Sequence, residues 1–123
     1  MIIAVDFDNT IARTTFPKIH GEIPGAVGVL NRFQSAGHTV ILWTCREGKV
    51  LNDALLWLTD HGFTPDCVNC HSEKQIVEWG TDPRKVGADV YIDDRNALCE
   101  IDWNRIEEFI TRKQEETSCP RED

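Results

Sequence analysis

Two pairs of aspartates and one threonine in this chain follow apolar runs. Asp6 and Asp8 come two positions apart after Met1–Val5, Thr44 follows Thr39–Trp43, and Asp93 and Asp94 are adjacent after Ala88–Ile92. Four carboxylates brought to one edge of a sheet repel one another strongly unless they ligate a hard cation. Magnesium is the natural choice, because it takes carboxylate, carbonyl and water oxygens and usually also a substrate phosphate. In such a site Asp6 could act as a nucleophile, since a carboxylate can form an aspartyl-phosphate and so divide one difficult displacement into two easier ones. Asp8 would protonate the leaving oxygen and later activate water. Thr44 and Lys85 would hold the phosphoryl oxygens, the lysine offsetting charge where phosphoryl transfer gathers it.

The elements that must position these residues can be read from the hydrophobic pattern. Met1–Val5 is continuously apolar, with β-branched residues at Ile2, Ile3 and Val5, and reads as a short strand buried on both faces. Residues 11–22 lack a sustained period and contain Pro17 and Gly21, which suits a loop or short hairpin beside that strand. Pro24 suits a first helical position, and Val27, Leu30 and Phe33 give the apolar face of a helix ending at Gly37. Thr39–Trp43 is a second strand. Val50, Leu51, Ala54, Leu55 and Leu58 mark a helix closed by Gly62, with Leu56 and Trp57 widening its apolar stripe. Weaker signals predict a short strand over 67–69, about two turns of helix over 74–79, and a cap and first turn at Asp82-Pro83. Ala88–Ile92 reads as a third clear strand, and Asp102 caps a final helix with Trp103, Ile106, Phe109 and Ile110 on one face.

Strands alternating with helices predict an α/β fold, a three-layer Rossmann-like parallel sheet with helices on both faces. In open sheets of this kind ligands bind at the carboxyl ends of the strands, where Asp6, Asp8, Thr44, Asp93 and Asp94 would all lie. The 123 residues suit one domain over 1–113, with a polar, frayed tail over 114–123.

With 41% hydrophobic and 28% charged residues, the composition is that of a globular chain. The net charge of −8 argues against general nucleic-acid or anionic-membrane binding. No apolar run approaches the roughly 20 residues of a membrane span. Asp6 interrupts the first apolar run too early for a secretory leader, so a cytoplasmic location is expected. The five cysteines, at 45, 67, 70, 99 and 119, then read as reduced thiols. Cys67-Val68-Asn69-Cys70-His71 has the pattern of a c-type haem attachment and supplies part of a zinc set, but without export or a fourth ligand it reads as structural. His20, His38, His61 and His71 fall in loops or near helix ends and read as surface residues, while the four tryptophans read as packing the core or its margins.

The ordered set of acids, threonine and lysine resembles the haloacid dehalogenase superfamily of phosphohydrolases. Its first motif, Asp-x-Asp-x-Thr, is matched by Asp6-Phe7-Asp8-Asn9-Thr10, its second by Thr44, its third by Lys85 with Lys74 as the alternative, and its fourth by Asp93-Asp94. The resemblance spans residues 2–96. It implies Asp6 as nucleophile and magnesium ligand, and Asp8 as acid/base that also lends its backbone carbonyl to the metal. It further implies Asp93 as a metal ligand with Asp94 in support. Asn9, Thr10, Thr44, Cys45, Arg46 and Lys85 are the candidate substrate contacts. Neither gap between motifs is long enough for the cap domain that many members insert. The expected protein is therefore a capless, magnesium-dependent phosphomonoester hydrolase with an open site. Its substrate would be a small molecule or a macromolecule, or one shielded by a neighbouring subunit in a homo-oligomer. A phosphotransferase and a catalytically idle phosphate-binding module share these residues. A signalling receiver fits less well, because it carries its acidic pair after the first strand and its phosphoacceptor on a middle one.

Overall fold

The computed structural model describes residues 1–98 and 100–118. In chain order the elements are β1 (Ile2–Val5), β2 (Ala12–Thr15), β3 (Lys18–Glu22), α1 (Ala26–Ser35), β4 (Thr39–Leu42), α2 (Gly48–Asp60), β5 (Cys67–Val68), α3 (Glu73–Trp79), β6 (Val90–Ile92) and α4 (Trp103–Ser118). Four strands form a parallel sheet in the order β5-β4-β1-β6, and β2 and β3 form a separate antiparallel hairpin. The first strand of the sequence is thus central, paired with β4 through Ile3↔Val40 and Val5↔Leu42 and with β6 through Val5↔Ile92.

The alternation of side chains along β1 explains why it is apolar throughout. Ile3 and Val5 point with Val40 and Leu42 into the main core, against Leu30 and Phe33 of α1, Ala54 and Leu58 of α2, and Trp103 and Ile110 of α4. Each such fully buried aliphatic side chain contributes about 1.5–3 kcal/mol. Ala4 and Ile41 face the other way, into a smaller cluster closed by Val86 with Trp43, Cys67 and Ala88 around it. The layers are unequal: three helices share one core, and the opposite face is covered by the chain around 86–88, with Trp79 of α3 packed against Gly87. The fold is the expected three-layer α/β arrangement, and the hairpin falls where residues 11–22 predict it.

Several local expectations are corrected. Pro24 does not open α1. Gly25 has φ +85° and the Ala26 N–H bonds to the Ile23 carbonyl at 3.1 Å, so Pro24-Gly25 form the middle of a turn that precedes the helix. Asp82-Pro83 start no helix, because the Asp82 carboxylate is spent on His71. Leu56 and Phe109, expected on buried faces, are exposed. The last helix runs past Lys113 to Ser118 in spite of its polar sequence, and residues 119–123 lie outside the described ones. His38 and His71 are buried rather than at the surface. The His38 Nδ1 lies 2.9 Å from the Met1 amine, and burial holds its pKa below the usual histidine range. Asp102 does cap α4, its Oδ1 accepting from the N–H groups of Asn104 and Arg105 at 3.1 and 3.2 Å.

Candidate functional site

The chain leaving β1 doubles back at once. The Phe7 carbonyl accepts from the N–H groups of Thr10, Ile11 and Ala12, and Asn9 takes φ +57°, a left-handed conformation that Asn adopts more readily than most residues. This turn leaves Asp6 and Asp8 at the carboxyl edge of the sheet and drives Thr10 into the interior. Asp6 is fixed to the neighbouring strand by its own N–H, which donates to the Ile92 carbonyl at 2.9 Å.

Thr10 has no exposed surface, so it is not the substrate contact expected from the sequence. Its Oγ1 lies 3.1 Å from Asp6 Oδ2 and 3.3 Å from Asp94 Oδ1, and accepts the Asp94 N–H at 3.0 Å. Its carbonyl accepts the indole N–H of buried Trp103 at 2.9 Å. Thr10 therefore joins the two acidic loops to α4. Trp103 is missing from the sequence reading of the site, since its apolar periodicity signals only packing.

Asp6, Asp93 and Asp94 each present a carboxylate oxygen within 4.8 Å of the others, the one such group of potential metal ligands among the described residues. Burial and the charge of Asp93 raise the Asp6 pKa from its ordinary 3.8 to about 7, although the Thr10 hydroxyl works in the other direction. An all-oxygen donor set in which mutual repulsion works against ionisation fits a hard divalent cation, magnesium above all. Cys67, Cys70 and His71 form no such group, so the zinc reading of that motif finds no fourth partner among the described residues. The described thiols of Cys45, Cys67 and Cys70 are free; Cys99 and Cys119 lie outside the described residues.

The Asp8 carboxylate is not part of the acidic group. It forms a two-pronged pair with Arg46, from Nε at 2.9 Å and Nη2 at 2.8 Å. Burial pushes the Asp8 carboxyl up, but the hydrogen bonds from Arg46 and the charge of its guanidinium outweigh it and hold its pKa below the usual range. Arg46 itself is 1% exposed. Its remaining donors reach the Val50 carbonyl at 3.0 Å and the Pro17 carbonyl at 3.1 Å, and its guanidinium lies 5.1 Å from the Phe7 ring and 5.2 Å from the Phe16 ring. Arg46 is thus a buried tie between the loop after β1, the hairpin and α2. Arg46 lines the acidic cleft, but it is not the free cation for substrate expected from the sequence, since its guanidinium is committed to Asp8 and two carbonyls.

Thr44 stands at the end of the adjacent strand, where its Oγ1 accepts the Arg46 N–H at 3.1 Å and keeps its own proton to donate. Its backbone is clamped on both sides by Asn69, whose Oδ1 accepts the Thr44 N–H and whose Nδ2 donates to the Thr44 carbonyl, each at 2.8 Å. Lys85 is exposed, with Nζ 5.7 Å from the Tyr91 ring centroid, and borders a small hollow with Asp93 and Asn96 beside the acids. Lys74 is exposed in the first turn of α3, which follows β5. Neither lysine lines the acidic cleft. That cleft, of about 370 Å³, is lined by Asp6, Asp8, Asn9, Thr14, Arg46, Asp93 and Asp94 and, exposed at its rim, by Phe16, Cys45 and Arg95. The larger hollow of about 890 Å³ lies elsewhere, between β6 and α4.

A parallel sheet of this order, with acids at the ends of its central strand and that strand's neighbour, defines the haloacid dehalogenase-like fold. The same fold is found in D,D-heptose 1,7-bisphosphate phosphatase from B. bronchiseptica, solved with magnesium and phosphate. That chain is 14% identical, with 91% of this chain and 98% of that one covered and a TM-score of 0.57. A conserved protein from Bacteroides thetaiotaomicron, of solved structure, is 38% identical over 98% of each chain, with a TM-score of 0.83. The present chain belongs to the same family as that Bacteroides protein. No family model and no curated protein matches it. Among the described residues, no helix is long and apolar enough to cross a membrane.

Proposed function

We propose that the protein is a capless, magnesium-dependent phosphomonoesterase that works through phosphorylation of Asp6. The observation that carries this reading is the convergence of Asp6, Asp93 and Asp94, with carboxylate oxygens within 4.8 Å of one another in a cleft of small-molecule size. The similarity in fold to a phosphatase solved with magnesium and phosphate supports it.

Asp6, Asp93 and Asp94 would hold the metal, together with the Asp8 backbone carbonyl. Bound magnesium would offset the charge that otherwise sets Asp6 against an incoming phosphate and polarise the phosphoryl oxygens. The Asp6 carboxylate attacks phosphorus as the bond to the leaving oxygen breaks, and that oxygen takes its proton from Asp8. Asp8 is ionised opposite Arg46 in the free protein and must first take up a proton from solvent. In the second half of the cycle Asp8, ionised opposite Arg46, is in the form that takes a proton from water attacking the aspartyl-phosphate. The Thr44 hydroxyl donates to a phosphoryl oxygen, and Lys85, bordering the hollow that includes Asp93, adds positive charge at that side. Exposed Cys45 and Arg95 leave the cleft open to solvent, which favours water over another acceptor.

The test is release of inorganic phosphate from a panel of nucleotides, sugar phosphates, aryl phosphates and phosphopeptides, with and without magnesium. Turnover that requires magnesium is expected for at least one class. No release from any member would leave an idle binding module as the better account.

A further inference from the structure

We propose that Phe16 forms a subsite for a planar ring in the leaving group, so that the substrate is a phosphate monoester of an aromatic alcohol or a nucleoside. The inference rests on the phosphomonoesterase reading and extends it from the reacting atoms to the rest of the substrate.

The cleft of about 370 Å³ lies in the lower part of the range for small-molecule sites, roughly 300–1,000 Å³, and is larger than one phosphoryl group fills. The space beyond the acids must hold the leaving group. Its rim is made by Phe16, Cys45 and Arg95, and Phe16 is the one large apolar side chain among all those that line it.

Single exposed apolar residues are ordinary on a protein surface, and Leu56 and Val77 need no explanation. Phe16 differs in being held in place. It is 63% exposed, in the turn between β2 and β3, yet its ring lies 5.2 Å from the guanidinium of buried Arg46. The same guanidinium donates to the carbonyl of the next residue, Pro17, at 3.1 Å. Because Arg46 is also tied to Asp8 and to Val50, the ring is fixed relative to the catalytic carboxylates. A ring ordered before the ligand arrives loses little freedom on binding, so its contact with a second ring appears almost fully as affinity. Ring pairs of this kind correspond to about a tenfold change in binding. Arg95, on the same rim, can face a ring or a further anionic group.

The test uses wild-type protein with magnesium and two phosphonates, which Asp6 cannot cleave, measured by titration calorimetry. Phenylphosphonate should bind about tenfold more tightly than propylphosphonate. Phe16→Ala should erase that difference by weakening phenylphosphonate more than propylphosphonate, and Phe16→Tyr should preserve it. Equal affinity for the two ligands, or equal weakening of both by Phe16→Ala, would overturn the subsite. Turnover of phenyl phosphate, adenosine monophosphate and glycerol phosphate then separates the readings. A ring preference in KM shows whether an aryl ester or a nucleotide is favoured. Ring-selective binding without any turnover would sink the enzyme reading and leave the subsite standing. Turnover with no ring preference would do the reverse.

Discussion

Asp6 is asked to be two things that its surroundings oppose, an anion and a neighbour of other anions. Without a cation, burial and Asp93 raise its pKa to about 7, against 3.8 for an ordinary aspartate. A carboxyl shifted upward favours the folded state below its unfolded pKa, and that contribution is lost as pH rises from about 3.8 through about 7. The metal-free protein should therefore lose stability from this group across that interval. On the proposed reading magnesium would bind only the ionised cluster and compete with the proton, so it should raise Tm more at about pH 8 than at about pH 5. Thermal unfolding at the two pH values with and without magnesium checks this; an equal rise at both would mean that Asp6 is not part of the metal site. The convergence of Asp6, Asp93 and Asp94 was legible because each directly follows, or adjoins one that follows, an apolar run read as a strand of one parallel sheet. The work of Thr10 and Arg46 was not, because nothing in a sequence says that a polar side chain beside an acid at a strand end faces inward. Arg46 is buried only because Asp8 and two carbonyls satisfy its charge and donors, which is a property of the fold.

At the scale of elements, the site depends on how the loop after β5 supports the loop after β4. Asn69, with φ +53°, bonds both backbone groups of Thr44. Glycine accepts that backbone conformation but makes neither bond, so Asn69→Gly separates the clamp from the strain. Stability should fall by about 1 kcal/mol, since these bonds are partly solvated. Turnover should fall by roughly tenfold or more, because a loosened Thr44 no longer meets the phosphoryl oxygens in register. Unchanged turnover in the folded variant would show that Thr44 is placed without Asn69. Asn69→Asp, which can still accept the Thr44 N–H but cannot donate to its carbonyl, should fall between the two. The sequence predicted β5 and α3 closely, yet their purpose was hidden, since an Asn in a turn is more often a turn former than a clamp. The same holds for His71, which accepts the Gly87 N–H at Nε2 (2.7 Å) and lies 2.6 Å from Asp82 through Nδ1. It holds the 82–87 segment, and Lys85 with it, against the loop after β5.

For the molecule as a whole, the order of the strands was not written in any one of them. Period and composition located β1, β4 and β6, and the acids said which ends belong together. That β1 is central, and that three helices crowd one face while a short helix and an extended segment cover the other, follows from how the chain crosses between strands. The hairpin reaches the acidic cleft, which Thr14 of β2 and Phe16 at its turn both line. All of this serves the central claim, that Asp6 becomes phosphorylated. The most direct measurement is to quench a reaction in acid with a substrate that turns over and magnesium present, reduce with borohydride, and map the product by peptide mass spectrometry. Asp6 should be converted to homoserine, the mark of a trapped acyl phosphate, in the wild type and not in the folded Asp6→Asn variant. Phosphate release that continues in Asp6→Asn, or a label on any other residue, would contradict it.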